Sequence, residues 1–228
     1  MRQLVRSFLL TSESVKCILE SMPVLGRTKR EVVQEFRTAE ILEAAWRVFG
    51  RAGYNDTTVD QIAEEAGVAK GTVYLYFASK QEVFRAALRK GLSELHEQAL
   101  LEITAADTNA ARLQAFIGAR LRYFSENRDF FRIYYTEFAN LKVRSSSSQP
   151  EFQDLYDQQV MLLQSLLDSG VSAGELRVLD THRAAHLLYE YVRAAVAKHV
   201  LEWRDESIES TISLVFDLVW RGIECESK

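Results

Sequence analysis

Residues 58–77 read TVDQIAEEAGVAKGTVYLYF. Thr58 stands three positions before Gln61, the spacing of a capping box that opens a helix. Ile62, Ala63 and Ala66 follow at helical spacing, and Gly67 supplies the left-handed residue that ends a helix and reverses the chain. A further short helix is predicted over Lys70 to Tyr76. Two short helices joined by a tight glycine turn form a helix-turn-helix. Ala63 is small, as a close crossing needs, while Ile62, Val68 and Val73 lock the pair and Phe77 anchors its end in the core. Lys70, Thr72, Tyr74, Leu75 and Tyr76 are left for the outer face. Ammonium, hydroxyl and phenol groups suit phosphate contact, and a helix fits the major groove of duplex DNA. Gly71 lets a backbone approach that groove closely.

Outward from this segment the chain reads as helix in both directions. Upstream, Ile41, Leu42, Ala45, Val48 and Phe49 form one apolar stripe, and Gly53 stops it. Downstream, Ser79 with Glu82 repeats the capping-box spacing before a long helix through Phe84, Leu88, Leu92 and Leu95. Leu113, Phe116, Ile117, Arg120, Leu121 and Phe124 set the period of residues 109–125. Aromatics crowd residues 128–141, and KVRSSSSQP at 142–150 is the clearest loop. Further helices are expected at about 151–169, 180–203 and 206–224. With 2 prolines and 10 glycines in 228 residues, the expected class is all-α, with about nine helices.

Charge is unevenly spread. Residues 27–90 carry 11 basic and 9 acidic side chains, whereas residues 91–228 carry 14 and 21, so only the front suits a polyanion. The two cysteines, Cys17 and Cys225, make no CxxC pair, which leaves a thiol metal site unsupported and fits the cytoplasm. No apolar run reaches membrane-span length, and the first residues lack a small-residue cleavage site. No nucleophile–base arrangement, phosphate-binding glycine loop or dinucleotide fingerprint is present, so the expectation is a non-enzyme with no cofactor and no metal. His182 and His186 have metal-ligand spacing but only two ligands in view, and Asp180 reads better as a helix cap.

Residues 37–84, RTAEILEAAWRVFGRAGYNDTTVDQIAEEAGVAKGTVYLYFASKQEVF, resemble the DNA-binding domain of the TetR family of bacterial regulators. Ile41-Leu42, Ala44-Ala45, Phe49, Gly53-Tyr54, Thr58, Ile62-Ala63, Ala66-Gly67-Val68, Gly71-Thr72-Val73-Tyr74, Tyr76-Phe77 and Lys80 carry the likeness. Ala69 departs from it, since a hydroxyl cap is frequent there. The resemblance implies a homodimer with an amino-terminal DNA-binding domain at 35–95 and an effector-binding and dimerisation domain at 96–228, preceded by a flexible extension at 1–34. It implies a transcriptional repressor released from double-stranded operator DNA by a small hydrophobic or aromatic effector. Thr58, Lys70, Thr72, Tyr74, Tyr76 and Lys80 would contact DNA, Thr58 and Lys80 at phosphates, with Lys70, Thr72 and Leu75 as base readers. A helical binding module without DNA activity and an α-helical enzyme are the competing readings.

Three further expectations concern the flanks. Residues 1–21 are dispensable, with a natural beginning at Met22, and Arg27, Lys29 and Arg30 form a basic arm toward DNA. The dimer seam runs along Ile208, Ile212, Val215, Val219 and Ile223 of the last helix, with Leu188, Tyr191, Val192 and Ala195 on the one before. Tyr123, Phe131, Tyr134, Tyr135, Phe138 and Tyr189 line the effector cavity, while Arg120, Arg128, Arg132 and Arg193 are solvated unless one of them meets an acidic ligand.

Overall fold

Thr28 starts the first helix. Its hydroxyl accepts from the Glu31 amide at 3.3 Å, and the Glu31 carboxylate accepts from the Thr28 amide at 2.7 Å. Helix α1 therefore runs Lys29–Asp56, and the boundary expected at residue 35 moves forward to this cap. Lys29 and Arg30 lie exposed in its first turn rather than in an arm. The computed structural model describes residues 28–135, 150–203 and 205–225, so Arg27, Phe138 and the extension at 1–21 lie outside the described residues.

Among the described residues eight more helices follow: α2 Val59–Glu65, α3 Lys70–Tyr76, α4 Lys80–Thr104, α5 Asn109–Glu126, α6 Arg128–Ile133, α7 Pro150–Ser172, α8 Thr181–Leu201 and α9 Ile208–Ile223. Among the described residues the only β pairing is a single bridge from Leu176 to Glu224, which ties the end of α9 to the α7–α8 connection. The chain is all-α, as its composition predicts.

Helices α1 to α3 enclose one end of the core through Ile41, Ala45, Phe49, Ile62, Val73 and Phe77. Helix α4 joins this end to the rest without a break, so the boundary expected at residue 95 falls inside a continuous helix. This helix packs on α1 around Ala87 and Lys90 and also packs on α5. Short α6 packs back against α1. There Phe130 meets Trp46 with ring centroids 5.3 Å apart, and the Trp46 indole donates to the Ala87 carbonyl of α4 at 2.9 Å. A methyl group built on Gly91 would stand 2.3 Å from the Phe130 ring, so only glycine lets α4 and α6 meet here.

The final two helices correct the expected seam. Ile212, Val215, Val219 and Ile223 are buried within the protomer's own core, as are Val192 and Ala195 of α8. The apolar residues facing outward include Leu214 (51% exposed) and Leu218 (57%) on α9, with Leu187 (73%), Tyr191 (39%) and Leu201 (54%) on α8. Helix α9 carries two apolar stripes, and the one with β-branched residues faces the core.

His199 is buried between α8 and α9, with its Nδ1 2.9 Å from the Thr211 hydroxyl. Burial holds its pKa below the ordinary 6.5, with Arg128 acting in the same direction and Glu206 against it. The neutral ring is thus favoured by the fold. Stability is full above the ordinary pKa and declines as pH falls through the depressed one, because the unfolded chain takes up the proton first. We expect Tm to fall as pH drops below about 6.5 and His199→Gln to remove part of that slope. An unchanged slope in the variant would show that other groups set it.

Candidate nucleic-acid interface and ligand core

Helix α2 begins with the full capping box. Thr58 Oγ1 accepts from the Gln61 amide at 3.2 Å, and Gln61 Oε1 accepts from the Thr58 amide at 2.8 Å. The turn follows at Gly67, whose φ of +66° is open to glycine at little cost. The amides of Gly67 and Val68 donate to the Glu64 and Ala63 carbonyls at 3.0 and 2.9 Å, which closes the end of α2. Helix α3 starts at Ala69 without a side-chain cap, as the sequence indicates. Across the unit, Arg47 and Arg51 of α1 both bond the Glu65 carboxylate, fixing α2 on α1. Those hydrogen bonds, Arg51 first, hold the Glu65 pKa below its usual value.

Helix α3 is two-sided. Val73 is fully buried and Tyr76 packs partly against the core, while Tyr74 (46% exposed) and Leu75 (83%) project outward. Gly71 faces open space, with nothing within 4 Å of a methyl group built there. Thr72 is half-buried between these faces. An exposed leucine beside an exposed tyrosine on a seven-residue helix has no use inside the protomer. Lys70 stands at the amino end of α3, where its ammonium bonds Asp60 of α2 at 2.7 Å. That contact raises the Lys70 pKa.

Lys80 makes its contacts within the protomer. Its ammonium donates to the carbonyls of Tyr54, Asn55 and Thr57 at 2.7, 3.1 and 2.8 Å and lies 4.6 Å from the centre of the Tyr54 ring. Gly53, with φ +79°, swings these carbonyls together at the end of α1. All three ammonium protons are thereby engaged, so without DNA Lys80 holds the α1–α2 connection. Lys80→Ala should lower stability by about 1–3 kcal/mol through the lost charge-assisted bonds, and leave the salt dependence of DNA binding nearly unchanged. A normal Tm with a shallower salt slope would restore the phosphate role.

In the second unit the aromatic candidates divide. Tyr134 and Tyr189 are fully buried, with their hydroxyls 3.1 Å apart. Phe131 lies in the same cluster, its ring tilted 32° and centred 4.3 Å from that of Tyr135, whose hydroxyl donates to the Arg193 carbonyl at 2.6 Å. Burial raises the pKa of both Tyr134 and Tyr135, so each keeps its proton. Tyr123 turns away and donates to Glu94 of α4 at 3.0 Å.

Arg120, expected in solvent, is fully buried at the centre of this cluster. It stacks 4.5 Å from the Tyr189 ring centre, donates to the Tyr189 hydroxyl at 3.0 Å and reaches Gln159 Oε1 at 3.3 Å. Gln159 in turn donates to His96 Nδ1 at 2.8 Å. Phe124 and Phe130 complete the surrounding rings, their planes 1° from parallel. The signal for Arg120 was present in the sequence, since it occupies an apolar-stripe position between Phe116 and Phe124. Gln159 and His96 carry no such mark. Arg193 is half-buried and pairs with Glu190 at 2.6 Å. His186 Nδ1 lies 3.3 Å from the Tyr156 hydroxyl, and no group of three metal-ligating side chains gathers among the described residues. Nor is any described helix long and apolar enough to cross a membrane.

Comparison with known proteins adds an independent finding. Residues 41–87 match the family model described as bacterial regulatory proteins, tetR family, and residues 106–203 match that of the tetracyclin repressor-like C-terminal domain. The HTH-type transcriptional repressor KstR2 of Mycobacterium tuberculosis is 30% identical over 161 residues, 69% of this chain and 76% of that protein. The structure of KstR2, a ketosteroid transcriptional regulator, superimposes with a TM-score of 0.65 at 26% identity, covering 83% of this chain and 96% of the other. The Bacillus subtilis regulator FadR, solved in complex with stearoyl-CoA, gives 0.72 at 22% identity over 82% and 99% of the two chains.

Proposed function

The chain belongs to the TetR family of bacterial transcriptional regulators, and from that footing we propose that it represses transcription by placing α3 of two protomers in successive major grooves of operator DNA. Lys70, Thr72, Tyr74 and Leu75 make the contacts, and Thr58 meets phosphate at the start of α2. The observation that carries this reading is the outward pair Tyr74 and Leu75 on a helix whose other side is locked into the core. A helical module without DNA activity has no need of that pair. Lys70 exchanges Asp60 for DNA on binding, which the exposed position of both groups permits.

The protein acts in the cytoplasm without catalysis, as a homodimer joined through the outward faces of α8 and α9. A small, largely apolar effector enters the core around Phe131, Tyr134, Tyr135 and Tyr189 and releases the DNA. Support comes from the aromatic character of that core and from the likeness to a ketosteroid regulator. Helix α6 joins the two ends, because Phe130 touches both Trp46 of α1 and Tyr134 of the cluster. The effector therefore acts by favouring the state in which the two α3 helices are wrongly spaced.

Binding to duplex from the promoter region of its own gene, measured at rising salt, tests the proposal. Log affinity should fall linearly with log salt, and Tyr74→Ala should weaken binding at every salt concentration. Binding that ignores salt, or is unchanged by Tyr74→Ala, would refute it.

A further inference from the structure

Among the described residues, the buried guanidinium of Arg120 meets no counter-charge. It carries five donor protons, yet the described residues receive only two hydrogen bonds from it, one of them long. Among the described residues its Nε has no hydrogen-bond partner. Among the described residues no carboxylate forms an ion pair with it, and the groups around it are tyrosines, phenylalanines and a neutral amide. A buried unpaired cation is costly, and a fold that keeps one in an aromatic core needs a reason. Nothing in the packing supplies it, since a methionine would fill the same stripe position.

Groups from five segments meet here: His96 of α4, Arg120 of α5, Tyr134 just after α6, Gln159 of α7 and Tyr189 of α8. Tyr134 and Tyr189 hold hydroxyl protons beside the cation, and Gln159 is oriented by His96. Such a set suits an acceptor group with negative charge. Its apolar walls suit a hydrocarbon body.

We propose that the effector is an apolar carboxylate whose head group pairs with Arg120, assisted by the hydroxyls of Tyr134 and Tyr189. This rests on the effector-controlled reading above and narrows it. A neutral carbonyl or hydroxyl would answer the hydrogen bonds but leave the charge uncompensated. The carboxylate answers both, and on entry it draws α5, α7 and α8 around one ion.

The test uses the full-length protein with two matched pairs of probes, decanoate against decan-1-ol and 2-naphthoate against 2-naphthol. Calorimetry on the wild type should show at least one acid bound about ten- to a hundredfold tighter than its partner alcohol. In Arg120→Met that preference should vanish while the alcohol binds as before. Without ligand, Arg120→Met should melt within a few degrees of the wild type or above it, because it removes an unpaired buried charge. Arg120→Lys, which keeps the charge without the fork, should retain part of the preference. Equal binding of acid and alcohol, a preference that survives Arg120→Met, or no acid bound at about 1 mM would each overturn the assignment. So would collapse of the unliganded Arg120→Met fold, which would make Arg120 a structural pillar. DNA binding in the same samples separates the two claims. Salt-sensitive DNA binding without acid preference sinks the head-group site alone. Acid held through Arg120 without weaker DNA binding supports the site and sinks effector-controlled release.

Discussion

Leu218→Asp should yield a folded monomer whose affinity for operator DNA is about a hundredfold or more below wild type. Leu214 and Leu218 of α9 stand one helical turn apart, as do Leu187 and Tyr191 of α8, and no described part of the protomer covers either apolar pair. Two-fold symmetry would set both new carboxylates in one interface, where each is desolvated without a partner and repels the other. The monomer then presents one α3 to one half-site and loses the second set of contacts. Helical content and Tm should change little beyond the loss of dimer stabilisation, because residue 218 faces away from the core. Val215→Asp gives the contrast. Val215 is 2% exposed and packs inward, so that change should unfold the second unit instead of splitting a folded dimer. Light scattering with circular dichroism distinguishes the two. A Leu218→Asp protein that remains dimeric at micromolar concentration would place the interface elsewhere.

The second large effect is expected at Phe130. This ring is fully buried and lies within 6.2 Å, centroid to centroid, of Trp46, Tyr123, Phe124 and Tyr134. Phe130→Ala should cost about 3–5 kcal/mol, the range for losing a buried aromatic and leaving a cavity. Gly91→Ala should cost about 1–3 kcal/mol by overpacking against the same ring. The two should not add. With Phe130 truncated, the new methyl group has room, so the double variant should be no less stable than Phe130→Ala alone. Denaturant melts of the four proteins measure that coupling. Simple additivity would show that the Gly91→Ala cost arises elsewhere than at the Phe130 ring, and the α6 link between effector core and α1 would lose its support.

How much of this was legible in the sequence depends on which residues act locally. The helix-turn-helix was readable because its signals are local: the Thr58–Gln61 box, the left-handed Gly67 and the bare Ala69 all act within a few residues. The Ser79–Glu82 spacing held in part. Ser79 caps the Glu82 amide at 3.1 Å, but the Glu82 carboxylate takes the amide of Ala78 at 2.6 Å. The contacts of Lys80 were not legible because its three carbonyls come from residues 23 to 26 positions earlier, gathered by the turn at Gly53. The seam on α9 was read on the wrong face because both stripes have helical period, and only packing against α5 and α8 selects the inner one. Arg120 shows the limit of composition. A charged residue on an apolar stripe reads as solvated until the fold closes three helices over it.

The central claim is that α3 reads duplex DNA as one of a symmetric pair. Selection from a random duplex pool tests it most directly, with the wild type run beside a variant carrying alanine at Lys70, Thr72, Tyr74 and Leu75. The wild type should enrich a two-fold symmetric sequence whose half-site centres lie about one helical turn, ~34–36 Å, or a multiple apart. The variant should enrich none, while melting normally, since Tyr74 and Leu75 project outward and Lys70 is exposed. Enrichment of the same sequence by both proteins, or of no sequence by the wild type, would contradict the account.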